Sequence, residues 1–456
     1  MTQGSPRAHI DLRRETLSRT ILSLAAPAVV ENLLVTAVFF ADAVLIGWLR
    51  DASALAAVGL GGTVMFIFNG LFQALAVGAT ALVARAWGRR DFALAERVAT
   101  QALSLSVVFA GLVTAVMLPL AEGLLALLGA EAAVVTMGGL YLRLVLSTSL
   151  FSFPMMVANG IMRGAGDTRT PMWLTLVMNV WNVGAAVVLV FGLGPAPALG
   201  LAGAGWATAS ARALGGILAM GALLFGRTVL RLRPAALLRW DRALAWRILR
   251  LALPNLGETV ISRLGYMLFI SIVTALGTVP LAAHQIAIRV ESLSFMPGWG
   301  LSVAAATLVG QALGAGDEEM AELGLRRALL WAMGLMGALA IGFALLGRVV
   351  VAAFGSTPEV LDLAGVAVRI AAAEQPFLAV QMVLAGGLRG AGDTRTPMWV
   401  TLFGVACLRV AVVYLFAIVL GWGLAGVWWG TAVDWAGRAG LLWFLFRRGA
   451  WKRTRV

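Results

Sequence analysis

The sequence predicts an all-α membrane protein with twelve transmembrane helices, and three observations support this fold class. First, 61% of the 456 residues are hydrophobic and 12% are charged, and the mean hydropathy is +0.91. A soluble domain has roughly 25% charged residues. Second, polar residues divide the chain into twelve apolar segments. Third, the two halves of the chain are copies of one another. Disordered, fibrous and ordinary soluble proteins are therefore excluded.

The twelve apolar segments are each long enough for a helix that crosses the bilayer, which needs about 20 residues. We place them at 21–49, 57–83, 98–120, 133–161, 171–193, 199–225, 252–277, 280–308, 327–347, 363–387, 397–420 and 424–446. They define an N-terminus at 1–20, an N-lobe at 21–225, a linker at 226–250, a C-lobe at 251–446 and a C-terminus at 447–456.

Basic residues predict the orientation of these segments. The net charge is +13, and 26 of the 35 lysines and arginines fall in the termini and in the loops that share their side. The opposite loops contain two, Arg50 and Arg348. Because cytoplasmic loops collect basic residues, we expect a multi-pass protein of the cytoplasmic (inner) membrane with both termini in the cytoplasm, and no nucleic-acid partner. The basic linker 226–250 is either an amphipathic helix on anionic lipid or a solvated connection.

An identical stretch of eleven residues, RGAGDTRTPMW, occurs at Arg163–Trp173 and again at Arg389–Trp399. Weaker matches keep nearly the same spacing, among them Leu24–Pro27 with Leu251–Pro254. Since each copy has six spans, both copies enter the membrane in the same direction and are related by a pseudo-two-fold axis along the membrane normal. In transporters built this way, the substrate site lies between the repeats.

The repeated loop has a structural explanation. Its Gly-Ala-Gly sequence predicts a tight turn, and we expect Thr170 and Thr396 to cap the helices that follow. Pro171 and Pro397 then fit the first helical position, where the missing N–H is tolerated. We interpret the loop as a hinge that does not contact substrate.

The sequence does not favour metal, disulfide or enzyme chemistry. The single cysteine, Cys407, lies in an apolar segment, and two histidines are too few for a histidine-based metal centre. The HExxH and GxSxG motifs of hydrolases do not occur in the chain. We therefore expect a protein that is not an enzyme.

Six carboxylates fall within the predicted spans, where ionisable groups are costly and indicate function by default. They are Glu31, Asp42, Glu258, Glu291, Glu374 and Asp434. Asp434 lies four residues before Arg438, which predicts an ion pair on one helix. Glu31 and Glu258 occupy equivalent places in the two copies, so their role is either structural or functional.

Asp42 is the strongest candidate for ion coupling. No basic residue lies within two turns on its own helix, and its repeat counterpart is Leu268 or Phe269. An acid without a charged partner in only one half suits reversible proton capture. Pro27 interrupts the same helix and predicts a bend, which is either static or moves when Asp42 takes up a proton.

The chain resembles the multidrug and toxic compound extrusion (MATE) family, and the resemblance spans nearly its whole length. The matching passages are Pro27–Asp42 followed by Ala56–Gly59, Ala282–Ile286, Phe295–Gly298 leading to Val309–Ala315, and the two RGAGDT loops. The resemblance implies ion-coupled antiport of amphipathic, mostly cationic organic compounds through a V-shaped pair of lobes. We expect a monomer in the lipid bilayer, with H⁺ or Na⁺ as coupling ion and no cofactor.

The resemblance also implies a cation site in the N-lobe, where Asn182 and Thr208 would join Asp42. Relatives often have a second aspartate one turn after the asparagine, whereas this chain has Ala186. A sodium site needs about six hard oxygen ligands, by analogy with other hard cations. The missing carboxylate therefore favours a proton over sodium.

Candidates for substrate binding, or for a second site in the C-lobe, come from the same comparison. They are Glu258, Glu31, Tyr266, Gln285 and Glu374. Some relatives have an acid where this chain has Leu378, so Glu258 is the main candidate of the C-lobe.

A lipid-linked oligosaccharide flippase of the same superfamily is the alternative function. It would require a strongly cationic cavity for pyrophosphate, whereas the unpaired candidates here are acidic. The sign of the charge in the cavity therefore distinguishes the two functions.

Overall fold

The computed structural model describes residues 13–193, 197–226, 228–232 and 239–454, and no β-strand occurs in these ranges. The predicted all-α fold is confirmed. In chain order the α-helices are α1 Leu17–Gly47, α2 Ala52–Gly88, α3 Phe92–Leu127, α4 Ala132–Ser147, α5 Ser149–Gly164, α6 Arg169–Phe191, α7 Leu201–Leu224, α8 Arg242–Ala275, α9 Thr278–Gly314, α10 Glu318–Ala352, α11 Pro358–Gly390, α12 Arg395–Phe403, α13 Val410–Tyr414 and α14 Gly423–Arg447.

The predicted apolar segments coincide with these helices. Ten helical stretches of the described chain are long and apolar enough to cross a membrane, and the pair α4–α5, bent by 56°, adds an eleventh. The twelfth predicted span is α14, whose 25 residues suffice for a crossing although they include Asp434, Arg438 and Arg447. Most helices extend beyond the predicted bounds, because the polar residues at their ends continue the helix.

The eleventh predicted span is not a regular α-helix. Between α12 and α13, residues Gly404–Arg409 form a π-helical turn, and Leu415–Val419 form a second one after α13. Such turns are rare and are found frequently at functional sites. The corresponding helix of the first half, α6, is a continuous α-helix. The two copies therefore differ here.

The described residues divide into two compact units. Of the described residues, the N-terminal unit contains those within 30–87 and 91–250. The C-terminal unit contains those within 13–29, 88–90 and 251–454. Each unit has its own apolar core. In the N-terminal unit, Phe72 and Phe153 stack at 3.8 Å between ring centroids.

The equivalent helices α3 and α10 start in the same way in the two units. Asp91 accepts a hydrogen bond of 2.9 Å from the backbone N–H of Leu94, and Asp317 accepts one of 2.8 Å from that of Met320. These carboxylates satisfy N–H groups that the first turn leaves without partners. The repeat thus conserves the local signals that begin its helices.

Of the linker 226–250, residues 227 and 233–238 lie outside the described residues, and 242–250 form the beginning of α8. Residues 1–12 of the predicted N-terminus also lie outside them. The predicted bend at Pro27 falls within α1, which is assigned as one helix.

Candidate functional site

Glu258 on α8, the first helix of the second copy, forms an ion pair with Arg389, the arginine that begins the second RGAGDT motif. Arg389 Nη2 donates to both carboxylate oxygens of Glu258 at 2.7 Å. The Thr401 hydroxyl donates to Glu258 Oε1 at 3.1 Å. The buried carboxylate therefore has a counter-charge and a further hydrogen bond.

The N-terminal unit repeats this arrangement with longer contacts. Arg163 Nη1 lies 3.4 Å from Glu31 Oε2, and Asn159 Nδ2 donates to Glu31 Oε1 at 3.3 Å. Because both copies conserve the ion pair, it explains why Glu31 and Glu258 occupy equivalent positions. The ion pair also explains the arginine of each repeated loop as a structural residue.

The repeated loops contain the predicted tight turn, with Gly166 at φ 95° and Gly392 at φ 86°. The expectation that threonine caps the next helix is wrong. Thr170 instead donates to the Asp167 carboxylate, from its backbone N–H at 2.9 Å and from its hydroxyl at 2.6 Å. The second loop repeats both bonds at 3.0 and 2.6 Å. A carboxylate accepts hydrogen bonds more strongly than a hydroxyl, so the aspartate acts as the cap.

Asp42 lies partly buried on α1 in the N-terminal unit. Arg212 of α7 interacts with it electrostatically, a contribution from another helix that the spacing along α1 does not reveal. The buried Tyr141 of α4 interacts with both charges. Asp42 therefore belongs to a mixed cluster contributed by three helices.

Asn182 and Thr208 are close together, as the family resemblance implies. Asn182 Nδ2 donates to Thr208 Oγ1 at 3.4 Å, and both side chains are buried. Asn182 Oδ1 has no hydrogen-bond partner in the described chain. Thr208 also forms a hydrogen bond with Tyr141, which links this pair to the Asp42–Arg212 cluster.

The N-terminal cluster offers few oxygen ligands to a metal cation. They are the Asp42 carboxylate, the free amide oxygen of Asn182 and the hydroxyls of Thr208 and Tyr141. The side chain at 186, where relatives often have an acid, is a buried alanine. A proton requires a single oxygen atom, whereas a hard cation takes about six. Within the described residues, no group of three or more histidines, cysteines and acids could hold a metal ion.

A second charged cluster lies in the C-terminal unit and centres on the buried Asp434. Arg409 Nε donates to Asp434 Oδ2 at 2.6 Å, and Arg438 Nε donates to Oδ1 at 2.7 Å. The guanidinium carbons of Arg409 and Arg438 lie 5.1 and 5.2 Å from the ring centre of Trp435. The predicted pair of Asp434 with Arg438 is confirmed, and Arg409 is a further partner.

Glu374 lies in the same unit, fully buried on α11. Its carboxyl group interacts electrostatically with that of Glu291 on α9, so the neighbour of each of these acids is another acid. Both groups interact electrostatically with Arg409, which connects them to the Asp434 cluster.

The remaining candidates of the C-lobe are exposed side chains. Tyr266 is 42% exposed and interacts with Arg263, while Gln285 is exposed on α9. Leu378 is buried, as expected for an apolar residue that replaces an acid.

Sequence reasoning missed three functional candidates, Tyr141, Arg212 and Arg409. The two arginines carried a usable signal, because arginine within a span is costly and needs a partner. Tyr141 carried none, because an isolated tyrosine in an apolar segment is equally consistent with packing.

Comparison with known proteins agrees with the repeated architecture. The MatE family model matches twice, at 27–188 and at 254–415. The chain is 31% identical over 445 residues to "Probable multidrug resistance protein NorM" of Thermotoga maritima, which covers 96% of this chain and 94% of that protein. It is 30% identical over 461 residues to "Multidrug resistance protein PmpM" of Pseudomonas aeruginosa, covering 96% and 93%.

Solved structures give the same result. The structure described as "Crystal structure of MATE in complex with MaD3S" matches with a TM-score of 0.89 and 25% identity, over 96% of this chain and 97% of that one. A transporter of the MOP superfamily from Pyrococcus furiosus, described as having a binding pocket of reverse polarity, matches with a TM-score of 0.87, 25% identity and the same coverage.

Proposed function

This chain belongs to the MATE family of multidrug transporters, and we propose that it is a proton-coupled antiporter that exports amphipathic organic cations. It is a multi-pass membrane transporter and not an enzyme. The coupling ion, the cationic substrates and the orientation are our proposal. The observation that supports it best is the Asp42 cluster, which combines one acid, one arginine and few other oxygen ligands.

The cluster favours a proton because Arg212 already provides a positive charge near the ionised carboxylate. When Asp42 takes up a proton, Arg212 loses that partner, so its interactions with the surrounding helices must change. A sodium ion would in addition need ligands that Ala186 does not supply. We propose Asp42 as the proton acceptor, with Asn182, Thr208 and Arg212 as its supporting residues.

The proposal places the transporter in the cytoplasmic membrane, as a monomer with both termini in the cytoplasm. The excess of basic residues in the termini and in the loops on their side supports this orientation. A proton gradient across that membrane would then drive export.

Flipping of a lipid-linked oligosaccharide is the alternative, and two partly buried arginines within the spans are the observation that favours it. Arg212 and Arg409 lie within helices where a flippase would need positive charge. In each cluster, however, an acid accompanies the arginine, namely Asp42 or Asp434. This balance favours export of cations.

Dye transport in everted membrane vesicles tests the function. We expect a lipophilic dye cation to accumulate when a pH gradient is imposed and not when a sodium gradient alone is imposed. Other lipophilic cations should compete, and phosphorylated lipids should not. Transport driven by sodium alone would contradict proton coupling, and efficient flipping of an anionic lipid-linked sugar would contradict export.

A further inference from the structure

The proposed coupling site assigns no role to two deeply buried acids of the C-terminal unit. Glu291 and Glu374 are 4% and 0% exposed. Their carboxyl groups interact with each other electrostatically. Glu291 Oε1 and both oxygens of Glu374 have no hydrogen-bond partner in the described chain.

Two ionised carboxylates that are buried side by side without donors repel each other, and a proton on one of them removes this repulsion. Carboxyl pairs that share one proton occur in enzymes, where they exchange it during catalysis. A single proton on the Glu291–Glu374 pair would be the same ion that the proposed antiport uses.

The charges around the pair balance when it carries one proton. Arg409 faces both glutamates, and Asp434 faces Glu374. Arg438 completes the set through its 2.7 Å bond to Asp434. The two arginines then balance Asp434 and the one ionised glutamate. Arg438 also interacts electrostatically with Glu258, but the charge of Glu258 is balanced by Arg389.

Loss of the shared proton would leave one negative charge in excess. A cation that arrives as the proton departs would compensate for it, whereas a neutral or anionic molecule would not. This charge balance matches the exchange of a proton for a cationic substrate.

A buried histidine lies beside this cluster. His284 is 1% exposed, and neither of its ring nitrogens has a hydrogen-bond partner in the described chain. Its ring lies 5.4 Å from Phe269, over which the Arg409 guanidinium carbon lies at 5.5 Å. Unpartnered polar side chains are therefore concentrated in this part of the C-terminal unit.

The cluster exists in one half of the molecule only. By the spacing of the repeat, Glu374 corresponds to Thr148, and Glu291 corresponds to Val64 or Met65. Arg409 ends the π-helical turn that the first half lacks. A scaffold inherited by both copies would appear in both, as the Glu31 and Glu258 ion pairs do. The C-terminal cluster is therefore a specialisation of one copy.

We propose that Glu291 and Glu374 form a second proton-binding site, which holds one proton between the two carboxyl groups and exchanges it with the aqueous medium during transport. On release, the O–H bond of the protonated carboxyl breaks and water accepts the proton. The inference rests on the proposed proton-coupled antiport and adds a second site to it.

Infrared difference spectroscopy of the purified full chain tests the site without transport. The wild type should show the carbonyl stretch of a protonated carboxyl group, and this band should be lost as the pH rises. Glu374→Gln and Glu291→Gln should each remove the band. Glu258→Gln is the matched control and should retain it, because it removes a carboxylate that is paired with Arg389 and leaves Glu291 and Glu374 in place.

Two results would overturn the proposal. One is a band that survives in both variants of the pair. The other is a band that stays constant at every pH at which the protein remains folded, since such a proton is not exchanged. Thermal unfolding of each variant in detergent establishes that it is folded. If Glu374→Gln does not fold, Glu374→Asp takes its place, and it should show the band because it keeps a carboxyl group at this position.

Transport then tests the role of the pair. Glu374→Gln should reduce proton release on addition of tetraphenylphosphonium, a lipophilic cation, by about half, because Asp42 still titrates. The Glu374→Gln variant should still exchange tetraphenylphosphonium across the membrane when no pH gradient is imposed. Unchanged proton release would contradict the role in coupling. If the wild type itself releases no protons and moves no cation, the proposed antiport fails, while the infrared result still decides whether the pair binds a proton.

Discussion

Arg389 donates to both carboxylate oxygens of Glu258 at 2.7 Å, and Arg163 makes the equivalent contact to Glu31 at 3.4 Å. In each copy, the arginine of the RGAGDT motif thus links the start of the repeated loop to the first span of the same copy. Glu258 is therefore better explained as part of a structural ion pair than as a free proton acceptor.

Removing the guanidinium should leave the Glu258 charge buried without compensation. We expect Arg389→Ala to lower the free energy of unfolding by about 3 kcal/mol, at the lower end of the range for broken buried pairs because Arg389 is partly exposed. Thermal unfolding in detergent measures this. Arg348→Ala is the control, because its 2.7 Å contact to Asp362 is exposed on both sides. Equal effects of the two changes would contradict a buried pair.

A methyl group at Gly390 should disrupt the packing of α11 on α9. A Cβ there would lie 2.1 Å from the carbonyl oxygen of Ala306, and the repeat equivalent Gly164 has a similar contact of 2.6 Å to Thr80. We expect Gly390→Ala to destabilise the protein by about 1–3 kcal/mol. Gly337→Ala, which meets nothing within 4 Å, should be neutral or slightly stabilising. If both variants unfold at the same temperature as the wild type, the close approach is refuted.

Asp42 and Arg212 should be energetically coupled. Changing either residue leaves the other charge without its partner. The double variant Asp42→Asn/Arg212→Gln should therefore lose less free energy of unfolding than the two single variants lose together, by about 1 kcal/mol or more. A double-mutant cycle on unfolding in detergent measures the coupling. Arg143→Gln is the comparison, because Arg143 pairs with Glu122 instead. Additive effects for Asp42 and Arg212 would show that they do not interact.

The predicted orientation can be tested by cysteine labelling. Single cysteines placed in the loops near Arg89, Arg169, Arg242, Arg327 and Arg395, in a Cys407→Ser background, should react with a membrane-impermeant reagent only from the cytoplasmic side. A cysteine at Arg50 should react only from outside. Labelling of the basic loops from outside would overturn the topology.

The fold followed from the sequence because each span is defined locally. A run of apolar residues bounded by charges predicts a helix whatever it packs against, and the repeat gives the same six spans in each half. The ion pair of Asp434 with Arg438 was predictable for the same reason, since both lie one turn apart on α14.

The contacts between helices did not follow from the sequence. Asp42 and Arg212 lie on α1 and α7, and Glu291 and Glu374 lie on α9 and α11, so no spacing along one helix relates them. The pairing of Glu258 with Arg389 was accessible in principle, because a glutamate and an arginine recur together in both copies. Packing decides which of the possible partners meet.

The most direct test of the account is proton-driven export in proteoliposomes by wild type, Asp42→Asn and Glu258→Gln. All three should be folded. Asp42→Asn should lose little stability, whereas Glu258→Gln should lose more, because it breaks the ion pair with Arg389. We predict that Asp42→Asn abolishes export driven by a pH gradient, since it keeps the shape of the side chain and removes the titrating group. Glu258→Gln should retain part of the activity or change substrate preference. Full activity in Asp42→Asn, with loss only in Glu258→Gln, would contradict proton coupling at Asp42.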